Sequence, residues 1–99
     1  MTETFVFLAN SFICDVDTFE FFCTKNAIGS LTTYLLENGV DQHFQYKIIE
    51  TILLPKTAYV LVTINNDKDT IHVFDFVLEE ASKMWKCGAV SDMVDRLPM

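Results

Sequence analysis

The pattern of apolar and polar residues divides the chain into a few regular segments, of which the first is the most apolar. It reads "TFVFLANSFIC" at residues 4–14 and contains no charged residue and no proline. A continuous apolar run rich in aromatic residues predicts a strand buried on both faces. Because nothing in this run would protect an exposed edge from pairing, we expect a central strand.

The segment after Cys14 predicts one long helix. Its apolar residues recur at every fourth position, at Phe19, Cys23, Ala27, Leu31 and Leu35. Asp17 and Glu20 have the three-residue spacing of a capping box, and Gly39 stands where a glycine commonly ends a helix. These signals favour a helix over residues 18–38.

The start of the same segment has a second interpretation. In "TFEFFCT", residues 18–24, the apolar residues Phe19, Phe21 and Cys23 occupy alternate positions. Alternation of this kind is typical of a strand with one buried face. The helix would then begin near Asn26.

Residues 44–64 predict two antiparallel strands. Alternate positions share a face of a strand, and one such set on the first strand is Phe44, Tyr46, Ile48, Glu50 and Ile52. The second strand repeats the alternation from Tyr59 to Ile64. Pro55 is suited to the first central position of a tight turn, so we expect a short hairpin.

The segment "DTIHVFDFVLEEASKMWKCG", residues 69–88, predicts a second helix. Apolar side chains at helical spacing form one stripe, made of Phe74, Val77, Leu78, Ala81, Met84 and Trp85. Asp69 or Thr70 is suited to cap the start of the helix, and Gly88 to end it. Such a stripe needs a sheet to pack on, which the predicted strands would supply.

A surplus of apolar side chains lies off that stripe and in the last segment, residues 89–99, which predicts a short helical turn. Exposed apolar surface usually marks an association site. We therefore expect a homodimer, with contacts made by Val73, Phe76, Met93, Val94 and Leu97.

The order of these elements predicts a single α+β domain over residues 1–99. We expect a two-layer sandwich in which a small, mainly antiparallel sheet of three or four strands carries two helices on one face, in the order β-α-β-β-α. The order β-β-α-β-β-α is the alternative if residues 18–24 form a strand.

The chain is acidic, and its charge is unevenly distributed. Its net charge is −7 at pH 7. Residues 1–46 hold six acids and one base, a net −5, whereas residues 47–99 hold eight acids and six bases, a net −2. Without a basic run, the sequence argues against direct binding of nucleic acid or of anionic membranes. It favours a basic protein partner, contacted by Asp15, Asp17, Glu20, Glu37 and Asp41.

Signals for catalysis or metal binding are weak. His43 and His72 have no His or Cys partner at metal-ligand spacing, and the three glycines form no phosphate-binding loop. "CDVD" at residues 14–17 has the spacing of a helix start, which favours capping over cation binding. We therefore expect no enzyme, no cofactor and no metal.

The sequence predicts an intracellular protein of the cytoplasm, or of the host cytoplasm if the protein is viral. Its three cysteines are odd in number and irregular in spacing, which argues against a secreted disulfide framework. No signal peptide and no apolar run of about 20 residues is present. Reduced thiols are expected in such a compartment.

The leading hypothesis on function is a small, acidic, non-enzymatic interaction protein that binds, and by binding inhibits, a partner with a basic surface. Small acidic domains of this kind are common among phage and viral accessory proteins. The alternatives are a self-associating structural or regulatory module, and a small-molecule binding domain with a pocket between sheet and helix.

Overall fold

The computed structural model describes residues 1–41 and 44–93 of the chain. These residues form three helices followed by four strands: α1 (Thr2–Cys14), α2 (Val16–Phe21), α3 (Ile28–Glu37), β1 (Tyr46–Leu53), β2 (Thr57–Ile64), β3 (His72–Glu79) and β4 (Met84–Asp92). The strands form one antiparallel sheet in the order β1-β2-β3-β4. The predicted α+β class and the small antiparallel sheet are confirmed.

The order of the elements along the chain differs from both predicted orders. All three helices precede the four strands, so the N-terminal part of the described chain makes up one layer and the C-terminal part makes up the other. Each strand lies beside its neighbour in sequence, and short connections are sufficient for such an antiparallel meander.

The prediction of a central strand over residues 4–14 is wrong, because these residues belong to α1. Phe5, Leu8 and Ala9 are buried, whereas Phe7 is 58% exposed. Spacings of three and four positions place the buried residues on one face of a helix. Packing of this face against the sheet therefore overrides the strand preference of the aromatic residues.

The single helix predicted over residues 18–38 is two helices, α2 and α3, with a break between them. In the break the chain runs beside β4. The N–H of Cys87 donates to the carbonyl of Phe22 at 2.7 Å, and the N–H of Thr24 donates to the carbonyl of Cys87 at 2.9 Å. This parallel bridge uses backbone groups that a continuous helix would need for its own hydrogen bonds.

The alternative that made residues 18–24 a strand is also wrong, since α2 extends to Phe21. Only the bridge at Cys23 has strand-like pairing. Neither interpretation of this segment anticipated a short helix followed by an edge contact to a strand more than sixty positions away, because that contact depends on where β4 lies.

The predicted end of α3 at a glycine is confirmed. The N–H of Gly39 donates to the carbonyl of Leu36 at 3.2 Å, and the N–H of Val40 donates to the carbonyl of Leu35 at 3.0 Å. This is the Schellman arrangement, in which the residue after the helix takes a left-handed conformation. Gly39 has φ +78°, which costs a glycine little. The turn brings Val40 back under the helix, where it is 3% exposed.

The predicted hairpin is confirmed as β1 and β2, joined through residues 54–56. Ile52 lies opposite Tyr59 and Thr51 lies opposite Val60 in its register. The register shifts between Ile48 and Glu50, which marks a β-bulge in β1. A bulge bends a strand and disturbs its edge.

The helix predicted over residues 69–88 is instead the hairpin of β3 and β4. Phe74 and Phe76 are 2% and 0% exposed and alternate with positions that face the opposite side of the sheet. The turn between the strands has Lys83 in the left-handed region, at φ 59°. The helical stripe was coincidental, because β2 offers a hydrogen-bonding partner to this apolar, strand-favouring sequence.

The residues predicted to pair two copies occupy different places. Phe76 is fully buried in the core, so its side chain is not on the surface of the single chain. Val73 lies on the opposite face of the sheet and is 4% exposed. Met93 follows β4 and is half-buried. Residues 89–92 belong to β4 and do not form the predicted helical turn. Two further predicted contacts lie outside the described residues: Val94 and Leu97.

The core lies between the helices and one face of the sheet. Its largest fully buried side chains include Phe19, Leu31 and Phe76, each of which stabilises the fold by about 1.5–3 kcal/mol on burial. A cavity of about 10 Å³ remains under α1. That volume holds about one water molecule, so it is far below the roughly 300 Å³ that a metabolite site requires.

Candidate protein-binding surface

The uneven charge of the sequence coincides with the two layers of the fold. Residues 1–41, which form the helical layer, hold six acids and one base, Lys25. Residues 44–93, which form the sheet layer, hold seven acids and five bases. The helical layer is therefore net −5 and the sheet layer net −2. The surface of the helices is the more negative side of the molecule, and its field attracts positive charge.

All five acids predicted to contact a partner are exposed, and all lie in the helical layer: Asp15, Asp17, Glu20, Glu37 and Asp41. None of them is used in the core. The structure therefore leaves the predicted acidic residues accessible to a partner on one layer of the molecule.

Asp15 also has a structural role as the N-cap of α2. One of its oxygens accepts a hydrogen bond from the Thr18 hydroxyl at 2.7 Å, and the other accepts one from the Thr18 N–H at 3.3 Å. These two hydrogen bonds, the hydroxyl first, lower the pKa of Asp15 below its usual value. The capping box predicted for Asp17 and Glu20 is thus replaced by a cap two residues earlier.

A shallow apolar groove crosses the helical layer between α2 and the end of α3. Its lining consists of Phe12, Val16, Phe19, Thr32, Leu36, Val40 and Asp41. The rings of Phe12 and Phe19 meet edge to face with their centroids 5.0 Å apart. Val16 and Leu36 are each 62% exposed. Exposed apolar side chains beside an aromatic pair of which Phe12 is only half-buried form a surface suited to protein contact.

One of the five acids lines this groove, and the other four lie close in the chain to residues that line it. Two flank Val16 in the chain, one lies a helical turn beyond Val16, one follows Leu36, and one lines the groove itself. In that order they are Asp15 and Asp17, Glu20, Glu37 and Asp41. These acids are called the acidic rim below, and they come from two separate stretches of the same helical layer.

Sequence reasoning identified the acids but missed the apolar residues between them. Leu36 falls outside the four-residue stripe that ends at Leu35, and Val16 stands alone between two acids. In both cases, the sequence signal for an exposed contact residue was an apolar side chain outside the buried stripe and next to an acidic residue. It is a weak signal, because isolated exposed apolar residues are common on protein surfaces.

A second polar feature links the two layers. The Tyr34 hydroxyl on α3 and Nδ1 of His72 on β3 share a hydrogen bond of 2.6 Å, and His72 is 2% exposed. Burial lowers the pKa of His72, although the nearby Asp92 and Asp67 act in the opposite direction. At neutral pH this imidazole is therefore uncharged and holds the helical layer against the sheet.

The buried cysteines are unsuited to nucleophilic chemistry. Cys23 and Cys87 face each other across the bridge at the edge of β4. Burial raises the pKa of Cys23 to about 12 and raises that of Cys87 further. Thiols of this kind stay protonated at neutral pH. Cys14 is exposed.

In the described part of the chain, no three His, Cys, Asp or Glu side chains lie close enough together to hold a metal ion. His43, the other candidate histidine, lies outside that part. The helices that the structure describes include none long and apolar enough to cross a membrane.

No family model, no curated protein and no solved structure matches the chain. Its function is therefore inferred from the surface of the molecule itself.

Proposed function

We propose that the chain is a small, non-enzymatic interaction protein whose acidic helical layer binds a partner protein with a basic surface. The observation that carries this proposal is that five exposed acids lie on one layer of net charge −5, and that an apolar groove on this layer has one of them in its lining. Complementary charge speeds encounter and selects the partner. Binding would inhibit the partner by covering its basic surface, in the manner of phage and viral accessory proteins that imitate nucleic-acid charge.

Neutralising acids of the helical layer should weaken binding more than neutralising acids of the sheet layer. The test variant is Asp17→Asn, Glu20→Gln, Glu37→Gln, and the control is Glu50→Gln, Asp69→Asn, Glu80→Gln. Each set removes three negative charges, so the two variants have equal net charge. Tagged protein would be used to capture partners from host lysate at about 0.1 M salt, where the Debye length is about 10 Å, and at about 1 M, where it is about 3 Å.

The wild-type protein and the sheet-layer control should retain the same partner at low salt and lose it at high salt. The helical-layer variant should lose it at both. Equal capture by all three proteins, or capture that does not depend on salt, would show that the acidic layer is not the binding surface.

A second candidate function is self-association as a structural or regulatory homodimer. β1 is an edge of the described sheet, and four exposed apolar residues lie within it or directly after it: Ile49, Ile52, Leu53 and Leu54. An apolar edge strand presents unpaired backbone groups to a second copy. This candidate uses the sheet layer, so it does not compete with the acidic helical layer for surface.

If this edge joins two copies, the double variant Ile52→Lys, Leu53→Lys should halve the native mass. The measurement is light scattering over a range of protein concentrations. Leu36→Lys places a charge on an equally exposed leucine of the helical layer and should leave the mass unchanged. A monomeric wild-type protein, or dissociation by both variants, would reject the β1 edge as the contact.

A further inference from the structure

We infer that the groove between α2 and the end of α3 binds an amphipathic helix of the partner, with the helix's apolar side chains in the groove and its lysine or arginine side chains on the acidic rim. This inference rests on the proposed function and adds to it the kind of segment that is recognised. Helix-in-groove binding is a common mode of peptide recognition, in which apolar residues at helical spacing anchor the segment.

The shape of the groove favours side chains that enter from outside. Its volume is about 410 Å³, which is within the roughly 300–1,000 Å³ of ligand sites. It is largely open to solvent, so a free small molecule would keep much of its surface in water. Phe12 and Phe19 form an apolar floor, and Val16 and Leu36 stand at either side with most of their surface exposed. Apolar side chains that enter the groove would cover Val16, Leu36 and the exposed part of Phe12, whereas Phe19 is already buried.

The charge around the groove selects the occupant. The helical layer contains the acids of the rim and one base, Lys25. It would repel an acidic segment, and a neutral segment would gain no electrostatic attraction. A second copy of the chain would bring its own layer of net −5 against the first, and like charges would oppose the contact. A basic segment is attracted to the same rim. The apolar floor and the acidic rim together therefore fit a basic amphipathic helix.

Three labelled peptides of about 14 residues, roughly 21 Å long as helices, separate the two contributions. The first contains leucine at helical spacing and lysine elsewhere. The second has serine in place of every leucine, and the third has glutamate in place of every lysine. Fluorescence anisotropy would measure the affinity of each peptide for the full-length protein, and circular dichroism would confirm that each variant is folded.

The leucine–lysine peptide should bind about tenfold more tightly than the serine–lysine peptide, because one well-buried leucine supplies that difference. The leucine–glutamate peptide should not bind. Leu36→Ser and Val16→Ser should remove the tenfold advantage and leave binding of the serine–lysine peptide unchanged. Val77→Ser is the matched control for Val16→Ser, since Val77 is an exposed valine on β3, away from the groove, and it should keep the full advantage.

The outcomes distinguish this inference from the proposed function. If both lysine peptides bind equally, the acidic layer binds basic segments but the groove has no part in it. If Val77→Ser weakens binding as much as Val16→Ser does, the leucines of the peptide adhere to exposed apolar side chains without using the groove. Failure of every lysine peptide to bind better than the glutamate peptide would overturn the proposed function as well. A native mass that falls in Leu36→Ser without peptide would assign the groove to a second copy.

Discussion

Phe76→Ala should lower the free energy of unfolding by about 3–5 kcal/mol, as expected for the loss of a fully buried phenylalanine. Phe76 is 0% exposed and lies between Ala58 and Cys87 in the middle of the sheet. The whole fold of a small domain is stable by only about 5–15 kcal/mol, so this single change removes a large share. Equilibrium unfolding in urea measures the loss.

Val77→Ala is the matched control, because Val77 is the next residue and points to the other face of the sheet. It is 38% exposed, and its replacement should cost about 1 kcal/mol or less. The ranking of the two variants tests the secondary structure directly. A helix over residues 69–88 would place Val77 on the buried stripe and Phe76 off it, so a larger loss at Val77 would contradict the β3–β4 hairpin.

Stability should fall as the pH is lowered below about 6.5, the ordinary pKa of histidine, because of His72. The pKa of His72 is lowered in the folded state, chiefly by burial, and is ordinary in the unfolded chain. The unfolded chain therefore takes up a proton at a higher pH than the folded protein does. The contribution of His72 to stability is complete above about pH 6.5 and is lost as the pH falls toward the folded-state pKa.

Thermal unfolding measured in steps between about pH 8 and pH 5 tests this expectation. His72→Gln keeps a polar group beside Tyr34 and cannot be protonated, so its melting temperature should vary much less over that range. His43→Gln is the control, since it removes the other histidine of the chain, and it should retain the acid-sensitive change. The prediction fails if His72→Gln is as sensitive to acid as the wild-type protein.

Local signals in the sequence correctly predicted those features that depend on neighbouring residues. The β1–β2 hairpin follows from alternating residues around Pro55, because its two strands are adjacent in the chain and pair through a short turn. The end of α3 follows from Gly39, because glycine readily adopts the left-handed conformation that ends a helix. The acidic character of residues 15–41 is likewise a property of composition, and the fold only had to leave those side chains exposed.

The two long segments that were predicted wrongly show where local signals fail. Residues 4–14 contain strand-favouring aromatics, and residues 69–88 contain an apolar stripe at helical spacing. The apolar residues of each segment are compatible with both a helix and a strand. Packing against the other layer of the fold decided which of the two forms. For the second segment the deciding partner was β2, whose free edge offers hydrogen bonds to an extended chain and none to a helix.

By itself, the sequence determined the α+β class, the hairpin of residues 44–64, the glycine end of α3 and an acidic first half, because each depends on composition or on residues close together in the chain. Only the tertiary structure decided that the acidic half forms its own layer and that Val16 and Leu36 line one groove. The break between α2 and α3 was decided in the same way, by pairing with β4. These features depend on contacts between distant residues, and a contact of that kind forms only when the core between the layers has packed.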